Sequence, residues 1–226
     1  MARLDEVVPP SFEVERADDV VFPSPLLLIT DRKRSTLALP DALHDAVKHG
    51  ARWIRVREPD LDLFSYIALC HVLIDTVADP RVTWAVRPSA YAMLRTAYTE
   101  LRLSVHCTER DAHFTAADVF TLVGRSVHAQ TITQASAAHY LLLAPVFATA
   151  SKPDAVPAGV EAIRTAALSR TAVVALGGVS PANVAACIAA GARAVAACGY
   201  VLDAEHPGAR VRELLSALSE YEEILR

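Results

Sequence analysis

No two of the four cysteines in this 226-residue chain lie close in sequence, so Cys70, Cys107, Cys187 and Cys198 form no CxxC pair. That spacing supports neither a zinc site nor a disulfide framework, and it suits thiols kept reduced in a cytoplasm, the expected location. No apolar run reaches membrane-spanning length without an intervening charge, glycine or proline, which speaks against a transmembrane helix. The opening MARLDEVVPP has early acids and no apolar centre, so it does not read as a secretory signal. An excess of charge of one sign is also missing: 22 Lys and Arg against 26 Asp and Glu leave a net charge of −4. This balance gives no bulk attraction for nucleic acid or an anionic membrane, and neither is expected as a partner.

What the chain does have is apolar bulk, 53% of its residues, arranged in a regular alternation of strand-like and helix-like segments. Buried-strand patterns run over Leu26 to Thr30, Trp53 to Arg57, Val82 to Val86, Arg102 to His106, Leu122 to His128, Tyr140 to Leu143, Ala172 to Leu176 and Ala194 to Cys198. Between them lie helical stretches. One, Pro40 to His49, opens on proline and stops before Gly50; another starts at Ser180-Pro181 and stops before Gly191. A shorter helix is expected from Arg87-Pro88-Ser89 to Ala97. Eight strands, each followed by a helix, predict a single-domain (βα)8 barrel over residues 25–226. A doubly wound open sheet fits this count and length less well. Residues 1–24, with Pro9, Pro10, Pro23 and several acids, read as an extension outside the repeat.

In such a barrel the chemistry sits where strands run into loops. The seventh and eighth strands end in Gly177-Gly178 and Cys198-Gly199, where backbone amides can close around a phosphate with no Cβ in the way. The second strand ends in Arg57-Glu58, the fourth in His106 and a loop holding Asp111, the fifth in Ser126-Val127-His128, and the sixth in a loop holding Lys152. Any one of these side chains alone is most simply a solvated loop residue. Arg57, Ser126, Lys152 and two glycine turns at one rim point instead to an anionic ligand.

The order of these pieces resembles one family. TDR, RxRExD, VHxxxxD, GRSVH, APVFxTxxK with PxGxE, ALGGV and a closing GARAVA segment, spread over Leu26 to Val201, look like the thiamine-phosphate synthase and TenI superfamily of (βα)8 barrels. Among its synthases, thiazole phosphate is joined to a pyrimidine diphosphate with Mg²⁺ assisting pyrophosphate departure. The resemblance implies thiazole phosphate binding at Gly177, Gly178, Cys198 and Gly199, and pyrophosphate-facing groups at Arg57, Ser126 and Lys152. It also implies a homo-oligomer.

Two departures matter. The synthase motif QxREK is here Arg55-Val56-Arg57-Glu58-Pro59, so proline replaces its lysine; the Asn-Asp-Arg motif after the third strand is Arg87-Pro88-Ser89. Asp111 alone is left as a metal ligand, whereas Mg²⁺ usually takes more than one protein anchor. The sister branch, the TenI-like thiazole tautomerases, aromatises a thiazole carboxylate phosphate by moving a proton, with no metal and no other cofactor. GRSVH looks like the motif that carries the tautomerase histidine, which makes His128 the expected proton carrier, with His106 and Glu58 as further candidates. The plain alternative for His128 is a buried, hydrogen-bonded ring; for Glu58 it is an ion-pair partner.

Three functions therefore stand beside one another. The expected one is a metal-independent thiazole tautomerase acting on a small phosphorylated thiazole. The others are a divergent thiamine-phosphate synthase, in which Mg²⁺ at Asp111 or the charge of Arg87 would serve, and a non-catalytic binder of phosphorylated thiazole or thiamine phosphate.

Overall fold

The computed structural model describes residues 19–108, 111, 122–134, 138–169 and 171–222. Eight strands, β1 (Leu26–Ile29), β2 (Trp53–Arg55), β3 (Thr83–Val86), β4 (Arg102–Cys107), β5 (Val123–Val127), β6 (Tyr140–Leu143), β7 (Ala172–Leu176) and β8 (Ala194–Ala197), pair in parallel with their sequence neighbours. β8 returns to β1, with Leu26 opposite Val195 and Leu28 opposite Ala197, and closes the barrel.

The helices lie outside. They are α1 (Leu39–Lys48), α2 (Leu63–Val77), α3 (Pro88–Ala97), α4 (Gly159–Ala167), α5 (Val184–Ala189), α6 (Gly199–Leu202) and α7 (Pro207–Glu222). Local signals explain where they start. Pro40 supplies the fixed φ of a first helical turn in α1. Asp62 caps α2 by accepting from the amides of Phe64 and Ser65. The expected helix from Ser180 begins later, at Val184, because Asn183 folds Ser180–Asn183 into a turn: its Oδ1 accepts from the Ser180 amide and its Nδ2 donates to the Gly178 carbonyl. After β5 the described chain forms a 3-10 helix, Ala129–Gln134, and not the α-helix that a strict βα rhythm predicts. The helix expected between β4 and β5 falls largely outside the described residues.

Alternation along the strands sorts the apolar residues into two cores. Outward residues such as Leu28, Ile54, Trp84, Leu143 and Val195 pack with the helices. Inward residues such as Leu27, Ile29, Trp53, Tyr140, Leu142, Val174 and Ala196 fill the lumen. The lumen also takes in part of the N-terminal extension. Val20 is buried with this inner set, and Phe22 stacks on Trp53 at 5.0 Å and meets Tyr140 edge-on at 5.7 Å. Trp53 and Tyr140 are the first residues of their strands, so this aromatic trio plugs the floor of the barrel, opposite the end where the loops carry the candidate residues.

Candidate active site

Above the floor, the inward positions change from apolar to polar. Arg55 on β2, His106 on β4, Ser126 on β5 and Tyr140 on β6 meet inside the barrel. His106 Nδ1 lies 2.9 Å from the Tyr140 hydroxyl and its Nε2 3.0 Å from Ser126 Oγ, to which Arg55 Nη1 donates at 3.4 Å. Gly124 makes this possible. It lies directly opposite Tyr140, and a Cβ there would fall 2.0 Å from the Tyr140 ring.

Burial, with the neighbouring Arg55, Arg125 and Arg57 charges, holds His106 well below its ordinary pKa. It is therefore a neutral imidazole with both ring nitrogens engaged. This placement suits a residue that fixes the direction of Ser126 better than one that exchanges protons with a ligand.

Arg55 is only 5% exposed. Burial is the main reason its pKa falls to about 10, which still leaves it protonated at neutral pH. Its sequence position was read only as part of a motif, and its inward direction became visible with the register of β2. Strand β2 ends at Arg55, two residues earlier than expected, because the backbone from Val56 onward turns into the loop.

In that loop Arg57 is exposed, and its charge acts on Arg55, His106 and Cys198. That places a cation over the mouth. Glu58 is buried beneath it. Its carboxylate accepts from Thr30 Oγ1 at 2.8 Å and from the Arg32 amide at 3.1 Å, and pairs with the Arg32 guanidinium at 2.9 Å. Every one of these contacts ties the β1 loop to the β2 loop, so Glu58 takes the ion-pair role, with Arg32 as its partner.

His128 follows the end of β5 on the same alternation as Gly124 and Ser126, one step nearer the mouth, and its amide donates to Thr131 Oγ1. Lys152 is exposed in the loop after β6.

The glycine turns have distinct reasons. Gly177 and Gly178 take φ of +100° and +65°, values that favour glycine. A Cβ on Gly178 would sit 2.3 Å from the Ala148 carbonyl oxygen, so this residue lets the loop after β6 approach the end of β7. A side chain there would strike that loop before it reached any ligand. At Gly199 a Cβ would meet Arg34 Nη2 at 2.8 Å and Asp203 Oδ2 at 3.0 Å. Arg34, paired with Asp203, thus brings a guanidinium to the β8 turn. Sequence reasoning passed over it, although the run Arg32-Lys33-Arg34 directly after β1 was the available signal. Burial pushes the Cys198 thiol up to about 12, so this residue is a neutral packing group in the turn.

Asp111, the carboxylate that the synthase resemblance offers to magnesium, is engaged within its own turn. Asp111 Oδ2 already accepts from the Thr108 amide at 2.7 Å and from Thr108 Oγ1 at 2.8 Å. Arg87 donates to the Leu61 and Asp62 carbonyls and lies over the Tyr66 ring at 4.0 Å; it serves the start of α2 and does not reach out as a substitute charge. Among the described residues no three His, Cys, Asp or Glu side chains cluster at metal-binding distance.

Fold and site together define a closed (βα)8 barrel whose C-terminal rim gathers guanidinium groups and glycine turns above a polar lumen. A family model described as thiamine monophosphate synthase matches residues 26–201. A thiamine-phosphate synthase of Roseiflexus sp. (strain RS-1) is 30% identical over 221 residues, covering 90% of each chain. One from Synechococcus sp. (strain CC9605) is 38% identical over 105 residues, which is 44% of this chain and 29% of that relative. Among solved structures, a thiamine phosphate pyrophosphorylase from Pyrococcus furiosus superposes with a TM-score of 0.70 at 22% identity, over 86% of this chain and 95% of that one. The chain belongs to the thiamine-phosphate synthase and TenI family, a family of thiamine-biosynthesis enzymes. No helix among the described residues is long and apolar enough to cross a membrane.

Proposed function

We propose that this chain is a metal-independent thiazole tautomerase, moving one proton between two carbons of a phosphorylated thiazole carboxylate. The observation that carries this reading is the position of His128, which directly follows β5 two residues beyond Ser126, beside a lumen that holds a buried guanidinium. Aromatisation by proton shift needs an acid–base group at the mouth, a cation near the carboxylate and a seat for the phosphate. His128 supplies the first. The turns at Gly177-Gly178 and Cys198-Gly199 supply the seat, with Arg34, Arg57 and Lys152 as surrounding cations. No step requires a metal, in keeping with the engagement of Asp111 and Arg87 elsewhere.

The names of the relatives favour a second reading, thiamine-phosphate synthase. It would need Mg²⁺ or an equivalent charge at a rim where Pro59 stands in place of lysine and Asp111 is bound by Thr108. One assay separates the two. Purified protein is offered the thiazole carboxylate phosphate tautomer alone, and separately thiazole phosphate with pyrimidine diphosphate and Mg²⁺. Aromatisation in the first, unchanged by chelator, is the expected result. Robust thiamine phosphate formation in the second, abolished by chelator, establishes the synthase. Binding without turnover in either leaves a non-catalytic binder.

A further inference from the structure

Arg55 is a cation in an unusual position. It is 5% exposed, it sits inside the barrel, and no carboxylate among the described residues pairs with it; its one described hydrogen bond is the 3.4 Å contact to Ser126 Oγ. Such groups normally carry a partner, because desolvation of an unpaired charge is strongly unfavourable. Its neighbours offer no negative charge: His106 is neutral, and the Tyr140 phenol is held protonated by burial. The other buried polar side chains on the inward positions of β3 and β4, Thr83 and Ser104, are uncharged, and the rest of the inner set is apolar.

We propose that Arg55, with Ser126, forms a subsite for the carboxylate of a ligand whose phosphate end stays at the loop turns. The charge count favours a carboxylate over a second phosphate. One guanidinium matches one monoanion, and its planar fork suits a planar carboxylate. A phosphate dianion belongs instead at the rim, near Arg34, Arg57 and Lys152. His106, held between Tyr140 and Ser126, acts here as a positioning residue that aims the Ser126 hydroxyl. The inference rests on the proposed function for the identity of the ligand, and extends it by naming what selects a carboxylated thiazole over an uncarboxylated one.

The test compares binding of two probes by calorimetry, thiazole phosphate and its carboxylate, on wild-type protein, Arg55→Gln and Arg55→Lys. The wild type should bind the carboxylate at least about tenfold more tightly. Arg55→Gln, which restores the residue of the synthase motif, should erase that preference while affinity for thiazole phosphate stays within about twofold. Arg55→Lys should keep part of it. Equal wild-type affinity for the two probes overturns the subsite without any variant, as does an Arg55→Gln protein that weakens both probes alike. Arg55→Met gives a second readout: removing an unpaired buried charge should raise the melting temperature in the absence of ligand, and a fall would contradict the picture. These outcomes are separable from turnover. A protein that prefers the carboxylate yet fails to aromatise the tautomer keeps the subsite and loses the tautomerase.

Discussion

His106 on β4 and His128, just past the end of the neighbouring β5, face different tasks. His128→Asn keeps approximate size and polarity while removing the proton carrier. The expected outcome is a loss of about 10²- to 10⁴-fold in tautomerisation rate with affinity for thiazole phosphate nearly unchanged; full turnover in the variant would remove His128 from the mechanism. His106 should show itself through stability. Folded His106 stays neutral well below 6.5, whereas the unfolded chain takes up a proton there. The unfolded state therefore binds more protons at acid pH, and stability falls as the pH drops below 6.5 toward the folded value. Urea unfolding should show a loss of about 1 kcal/mol between pH 6.5 and 5.5 from this group alone, and His106→Gln should flatten that limb. The placement of GRSVH and the glycine turns at the barrel rim was legible residue by residue, because both are short and local. Arg55 and Arg34 were not. The role of Arg55 depends on which way β2 faces, and that of Arg34 on a loop reaching the turn after β8, both products of barrel closure.

At the scale of elements, the β5–β6 pair carries a tight packing constraint. Gly124 lies opposite Tyr140, and the missing side chain is what lets the phenol cross to His106. Gly124→Ala should cost about 2 kcal/mol in chemical denaturation, and adding Tyr140→Leu should recover part of it, a non-additive pair. Strands such as β1 (LLLI), β6 (YLLL) and β7 (AVVAL) were readable as continuous apolar runs, since strands of a parallel barrel are buried on both faces. By contrast, β4 (RLSVHC) and β5 (VGRSV) carry polar residues toward the lumen and show poor strand periodicity. Strand ends were less readable. β2 stops at Arg55 and β8 at Ala197, while the residues beyond keep a strand-like composition because they line the mouth. The segment after β5 escaped for the opposite reason: its 3-10 turn carries no helical apolar stripe to mark it.

For the whole molecule, the barrel is closed at two levels, by the β1–β8 ladder and by the aromatic floor. Phe22→Ala removes one face of the stack on Trp53 and should lower stability by about 2 kcal/mol. Because the floor is remote from the rim turns, affinity for thiazole phosphate should survive, with any effect on a carboxylate passing through the Tyr140–His106–Ser126 line. Equal stability of the variant would show that the floor holds without its plug.

That plug also sets an order of events in synthesis. Val20 and Phe22 leave the ribosome before any strand, yet Tyr140, one wall of their seat, is made only with β6, and β1 waits for β8 before its second edge is covered. The nascent chain must therefore carry two uncovered apolar residues and an open strand edge through most of its translation, the condition in which chaperones engage a protein and neighbouring chains begin to stick.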